Sequence, residues 1–437
     1  MSDGEPEATT SEGTASESAG RASEPPRIRT AERRQLFWQS RDLETLLTPD
    51  HRARAIWNFV GKLDLQRFYA GIKARGSEPG QPAIDPKILL VLWLYATSEA
   101  VGSARELARL CEAHDAYRWI CGGVSVNYHT LSDFRVDHGK ALDELMTQVL
   151  AVLMHQGLVH LNRVAHDGMR VRASAGAGSF RREKTLHKCL EAARAQVEAV
   201  KKAAEQPDGQ KSARERAAQE RAARDREERL TRALAELPKV QATKKDKDKP
   251  EARVSTTDPE ARVMKMPDGG FRPAYNVQLA TDTESRVIVG VRVTNSGSDQ
   301  GQMEPMLDEI HRRTGSNPAE HLVDGGFTKL ESITKASEAG TTVYTPVAKP
   351  RVEGIDPHLP KEGDTPAVIE WRKRMATDEG KKIYKERAAT AETVNADLRT
   401  SKGLDGFPVR GTSKVLCIAL WAALTYDILR GISLGFS

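Results

Sequence analysis

Between residues 183 and about 237 the chain is built from Ala, Glu, Arg, Lys and Gln, with few large apolar side chains. Such a stretch has strong intrinsic helix propensity but little with which to join a core. Arg221, Arg224 and Arg226 interleave with Asp225, Glu227 and Glu228, the pattern of a solvated helical face. The Gln206-Pro207-Asp208-Gly209 break divides the stretch into two helices, and Lys244-Lys245-Asp246-Lys247-Asp248-Lys249-Pro250 continues it as a flexible charged linker. Residues 183–250 are therefore expected to be a helical insertion. The core must be assembled from segments on either side of it.

Those segments read as an α/β unit over 159–182 and 251–432. Before the insertion, Arg163-Val164-Ala165-His166-Asp167-Gly168 is an apolar run closed by Asp and Gly, read as a strand ending at Asp167. After it, Ala274–Ala280 alternates in period two, and Arg286–Val293 follows a short turn, which predicts a hairpin. Asp299 is read as the N-cap of a helix carrying Met303, Met306, Leu307 and Ile310, in preference to an active-site acid. His321-Leu322-Val323-Asp324-Gly325-Gly326-Phe327 repeats the form of the first strand, with a helix expected from Thr328. Thr341–Tyr344 is a fifth strand, 346–376 reads mostly as loop, and 378–400 as a helix. Residues 412–430 form a last apolar helix whose short length and Asp427 mark it as core rather than a membrane span.

Ahead of this unit, residues 31–158 read as all-α. Asp85-Pro86 starts an almost wholly apolar helix, Ser103 with Glu106 forms a capping box, and Thr130 with Asp133 opens a further helix. Arg105 and Arg109 stand four apart on one face, which suits either a DNA-reading helix or an ordinary solvated one. Residues 1–30 hold almost no large apolar side chain and are expected to be a disordered tail. The formal charge of +5 permits a polyanionic partner without demanding one. Cys111, Cys121, Cys189 and Cys417 have no CxxC spacing, which argues against a zinc site or a disulfide framework.

An acid at a strand tip is held by rigid backbone and can ligate a metal; taken alone it can equally start a turn. Two such aspartates, with Glu392 on a later helix, make an all-oxygen donor set suited to hard divalent cations. Lys385, Glu392 and Arg399 are seven apart each and are expected to share a helix face, either as a surface ion-pair row or as a ligand with cationic neighbours.

With these motifs in order, the chain resembles the bacterial insertion-sequence DDE transposases that carry an N-terminal helical domain, over roughly residues 33–432. Asp85-Pro86-Lys87 and the 127–135 run resemble that family's helical domain. Asp167–Ala173 resembles its first-acid motif, Ser255–Arg262 and Pro273–Gln278 its lead-in and second strand, and Asp324-Gly325-Gly326-Phe327 its second-acid motif. Tyr384, Arg387, Glu392 and Arg399 resemble its closing signature. Two departures stand out: Glu392 lies five residues after Arg387 where the family has four, and Arg399 replaces a Lys. Glu386 and Glu370 are the competing third acids.

The resemblance implies an RNase H-like α/β core with a mixed sheet behind a helical DNA-binding domain. It implies cleavage of DNA at element ends and strand transfer. Asp167, Asp324 and Glu392 would hold two Mg²⁺ ions, with Mn²⁺ as a substitute. Tyr384, Lys385, Arg387, Arg399, Arg105 and Arg109 would contact DNA. The implied partners are double-stranded terminal repeats and target DNA, with a homo-oligomer on DNA, in the cytoplasm at the nucleoid and without a membrane. A DNA-binding regulator that no longer cuts, and a scaffold assembled through the 183–237 arm, are the alternatives.

Overall fold

The computed structural model describes residues 42–74, 82–205, 212–350 and 354–435. The tail expected at 1–30 and the break expected at 206–209 lie outside the described residues. The helical region contains α1 (Arg52–Val60), α2 (Gln66–Tyr69), α3 (Pro86–Ser98), α4 (Ala104–Ala113), α5 (Asp115–Cys121), α6 (Tyr128–Asp137) and α7 (Gly139–His155). Asp85 caps α3 by accepting from the Lys87 amide at 2.8 Å, and Ser103 caps α4. The start expected at Thr130 falls three residues earlier: Asn127 is the cap, and its side chain accepts from the Thr130 amide at 2.9 Å. The run Ile88–Ala96 of α3 is buried throughout.

The following unit is a curled mixed sheet flanked by helices. Its strands are β1 (Arg163–Arg172), β4 (Arg262–Lys265), β5 (Phe271–Asp282), β6 (Ile288–Thr294), β7 (Glu320–Val323) and β8 (Thr342–Tyr344), in the order β4-β5-β1-β7-β8 with β6 also on β5. Strand β1 is central, antiparallel to β5 and parallel to β7. It does not stop at Asp167. Met169 and Val171 continue the buried alternation, and β5 is long enough to pair with β1 as far as Arg172.

Between β1 and β4 stand β2 (Phe180–Arg181), β3 (Val254–Ser255) and the helical pair α8 (Glu183–Glu205) and α9 (Ala213–Ala242). Leu186, Leu190, Leu230, Leu237 and Val240 gather with Ala252 and Val254 into a small core of their own at the base of this arm. The few apolar residues of the stretch thus serve the arm rather than the sheet.

Helices α10 (Met303–Thr314) and α11 (Leu330–Glu338) lie between the later strands; a 3-10 turn at Gly325–Phe327 delays the start expected at Thr328. Part of the expected 346–376 loop is helix α12 (Pro366–Ala376). Thr365 caps it, Pro366 opens it, and Val368, Trp371 and Met375 are buried. The helix expected over 378–400 is interrupted. It runs as α13 (Asp378–Arg387), a π-helical turn (Ala388–Glu392) and α14 (Thr393–Thr400).

Helix α15 (Thr412–Ser433) is long and apolar enough to cross a membrane by length and composition, and two thirds of that stretch is buried inside the protein. It packs on α3, α7 and β6, so one apolar core is continuous from the helical region to the sheet. Asp427, fully buried in α15, accepts from the Ile288 amide of β6 at 2.8 Å. Burial pushes its carboxyl well above the ordinary range.

Candidate active site

The parallel pairing of β1 and β7 fixes the two aspartates. Ala165 is in register with Leu322 and His166 with Val323, so Asp167 and Asp324 follow as neighbours on adjacent strands, with the chains about 4.8 Å apart. Their environments differ. Asp167 is mostly buried, its side chain 20% exposed, and its carboxyl is pushed up to about 6. Burial is the largest cause. The Arg387 guanidinium pulls the other way, and the Asp324 charge adds to the rise. Asp324 is half-exposed and caps the turn after it, accepting from the Gly326 amide at 2.8 Å.

The π turn brings Glu392 to the same place. A π turn closes hydrogen bonds one residue further on than an α turn does, so its fifth residue stands where an α turn has its fourth. Glu392, five after Arg387, therefore lies one turn above it. Arg387 Nη2 is 3.5 Å from Glu392 Oε1, while Arg387 Nη1 is 3.8 Å from Asp167 Oδ1. Asp167, Gly168, Met169, Arg170, Pro267, Glu392, Asn395 and Arg399 line one cavity of about 250 Å³.

The same turn corrects the expected helix face. The extra residue moves Lys385 off the face of Glu392 by about 100°, and Tyr384 takes its place. Tyr384 is half-buried, close enough to both aspartates to feel their charge, and has Arg387 6.0 Å from its ring. Lys385 is exposed.

The competing acids are engaged elsewhere. Glu386 pairs with Arg163 at 2.6 Å, and Glu370 with Lys373 at 3.1 Å. Arg105 lies over the Tyr128 ring at 5.1 Å and lines a separate cavity of about 690 Å³, while Arg109 is exposed near Glu106.

One contributor escapes the sequence reading and another is misassigned by it. Asn395, three residues after Glu392, donates to Asp167 Oδ2 at 3.0 Å. Asp299 is not a helix cap, because α10 begins at Met303 after Gln302. Its Oδ1 accepts from Asn276 Nδ2 and Gln278 Nε2, both at 2.7 Å, and its Oδ2 is 3.3 Å from Arg170 Nη2. Asn276 and Gln278 alternate along β5 and pair with Arg170 and Gly168 of β1. Period-two polar residues in an otherwise apolar strand were the available signal. Beside them His166 Nε2 donates to Gln278 Oε1 at 2.8 Å, and the ring stacks on His321. Burial keeps both imidazoles neutral, His166 pushed down to about 3.

These carboxylates suit a hard cation by chemistry. A buried acid raised by a second acid beside it is relieved by a divalent ion. Among the described residues, however, no three His, Cys, Asp or Glu side chains form a group that could hold one. Glu392 is 65% exposed and turned to Arg387, whose guanidinium stands between it and Asp167. Asp167 and Asp324 stand side by side, and Glu392 is held apart from them at Arg387.

Two family models match the chain: a transposase domain (DUF772) over residues 41–137 and a transposase DDE domain over 239–428. No curated protein and no solved structure matches. The second match contains Asp324, Glu392 and the closing signature but begins after Asp167, which reaches that unit through the sheet as the neighbour of β5 and β7. With the helical region matched to one transposase domain and most of the sheet unit to another, the chain belongs to the insertion-sequence DDE transposases.

Proposed function

We propose that the chain cleaves DNA at the ends of its element and joins the freed end to target DNA, using Asp167, Asp324 and Glu392 as metal ligands in an RNase H-like core. The observation that carries this reading is the side-by-side placement of Asp167 and Asp324 on parallel strands, with Glu392 lining the Asp167 cavity. The sheet order, with an antiparallel β4-β5-β1 half and a parallel β1-β7-β8 half, supports the fold assignment. Two bound Mg²⁺ ions would supply activation of the attacking oxygen and stabilisation of the leaving one.

The chain's own residues do the rest. Arg170 and Arg399 bring positive charge to the cavity, and Tyr384 and Arg387 stand where a scissile strand would lie. Arg387 also neutralises Asp167 and Glu392 until ligand arrives, and then turns to phosphate. Lys385, Arg105 and Arg109 are exposed cations outside this cavity and serve duplex binding. The helical region 31–158 is the DNA-binding domain, 159–182 with 251–432 the catalytic one, and a homo-oligomer assembles on DNA in the bacterial cytoplasm.

The test is incubation of labelled duplex carrying the DNA that flanks the gene, with Mg²⁺ or with EDTA. Mg²⁺-dependent nicks at one position, absent in Asp324→Asn, support the reading. Salt-dependent binding with no cleavage in Mg²⁺ or Mn²⁺ would instead identify a DNA-binding regulator.

A further inference from the structure

The hairpin made by β4 and β5 carries a side chain that the fold does not use. Phe271, the first residue of β5, is 68% exposed, and Val263 of β4 is 49% exposed. Register pairs Lys265 with Phe271 and Val263 with Pro273, so Val263, Lys265 and Phe271 share the outer face. The inner face is packed by Met264, Met266 and Ala274.

The turn holds itself without Phe271. The Met266 amide donates to the Gly270 carbonyl at 2.7 Å, Asp268 accepts from the Gly270 amide at 3.0 Å, and Arg272 pairs with Asp268 at 2.7 Å. Gly269 takes the positive φ of 82° that the turn needs. Pro267 at the tip lines the same cavity as Asp167, Arg170, Glu392 and Arg399. A hairpin closed by its own hydrogen bonds thus presents, beside the acids, an exposed aromatic paired across the strands with Lys265.

We propose that Phe271 stacks on a base of the DNA held over the acids, with Lys265 on a neighbouring phosphate. The proposal rests on the DNA-cleaving reading given above. An aromatic face with adjacent positive charge is the chemistry that binds an unpaired or unstacked base regardless of sequence, and apolar wedges enter base steps in the same way. The competing occupant is a strand from a second copy on the β4 edge. The exposed Lys265 on that edge opposes it, as charged edge strands resist pairing, whereas it attracts phosphate.

The test uses the full chain in EDTA and fluorescence anisotropy over a range of salt. The probes are one short duplex with blunt ends and the same duplex with a few unpaired nucleotides at one end. Phe271→Ala is expected to bind the unpaired-end duplex about tenfold more weakly than the wild type. Its salt slope should be unchanged, since stacking releases no counterion. Phe271→Trp should retain affinity, and Lys265→Ala should flatten the salt slope by about one phosphate contact. Wild-type affinity in Phe271→Ala on the unpaired-end duplex would overturn the proposal. So would a smaller sedimenting mass for Phe271→Ala with unchanged DNA affinity, which would assign the face to a second copy. If the wild type binds neither duplex, the DNA-cleaving reading fails first and this one with it; equal binding of both duplexes by wild type and Phe271→Ala sinks this one alone.

Discussion

Adding a single methyl group to the strand that carries Asp167 should disable the site. A Cβ on Gly168 would meet Asp299 Oδ1 most closely, with Gln278 Nε2 at 2.6 Å and Asn276 Oδ1 at 2.8 Å. All three belong to the network that takes two amide donors and Arg170 onto one carboxylate. None is a free chain end that can swing aside. Overpacking of this kind costs about 1–3 kcal/mol. A lost hydrogen bond to the Asp299 carboxylate adds about 1.5–3 kcal/mol. Gly168→Ala should therefore destabilise the protein by about 3–5 kcal/mol and reduce cleavage, because β1 must shift beside Asp167. Urea unfolding with wild type, Gly168→Ala, Asp299→Ala and the double variant measures it. The double variant should cost at least about 1 kcal/mol less than the sum of the two singles, since Asp299→Ala vacates the space the new methyl needs. A Gly168→Ala protein within about 0.5 kcal/mol of wild type, the range of an inert surface change, refutes the reasoning.

Other outcomes follow from the same geometry. The raised Asp167 carboxyl, at about 6 against an ordinary 3.8, makes the native chain bind more protons than the unfolded one between those values. Stability should thus increase as pH falls through about 6, and Asp167→Asn should match or exceed wild-type stability at about pH 8 while cleaving nothing; a thermal scan showing a clear loss at that pH would contradict this. Glu392→Gln should abolish Mg²⁺-dependent cleavage yet change stability by less than about 1 kcal/mol, because its exposed pairing with Arg387 is worth little; near-normal cleavage removes Glu392 from the ligand set. Deleting 183–237 should leave the main core intact and uncover Val240, Ala252 and Val254, a cost of about 3–6 kcal/mol; loss of cooperative unfolding by circular dichroism would show that the arm is integral.

The two aspartates were legible because each follows an apolar run and precedes a glycine, a local pattern that needs no knowledge of partners. The arm was legible from composition alone. What sequence did not reveal depends on contacts made at a distance. Asp299 looks like a helix cap until Asn276 and Gln278, more than twenty residues earlier, turn out to face it. Helix α12 was hidden by the surrounding prolines and charges, although Thr365-Pro366 and the spacing of Val368, Trp371 and Met375 were there to be read. The length of β1 was set by β5, its partner across the insertion. Lys385 was misplaced because a face drawn at constant rotation does not survive a change of helix type.

The π turn at Ala388–Glu392 separates two things that a sequence signature usually fuses, the count of residues and the direction in which they point. Widening one turn absorbs an added residue where it occurs, so α14 resumes with Arg399 still seven after Glu392. A pattern written as fixed gaps would reject this chain, whereas one written as angles around the helix axis would accept it.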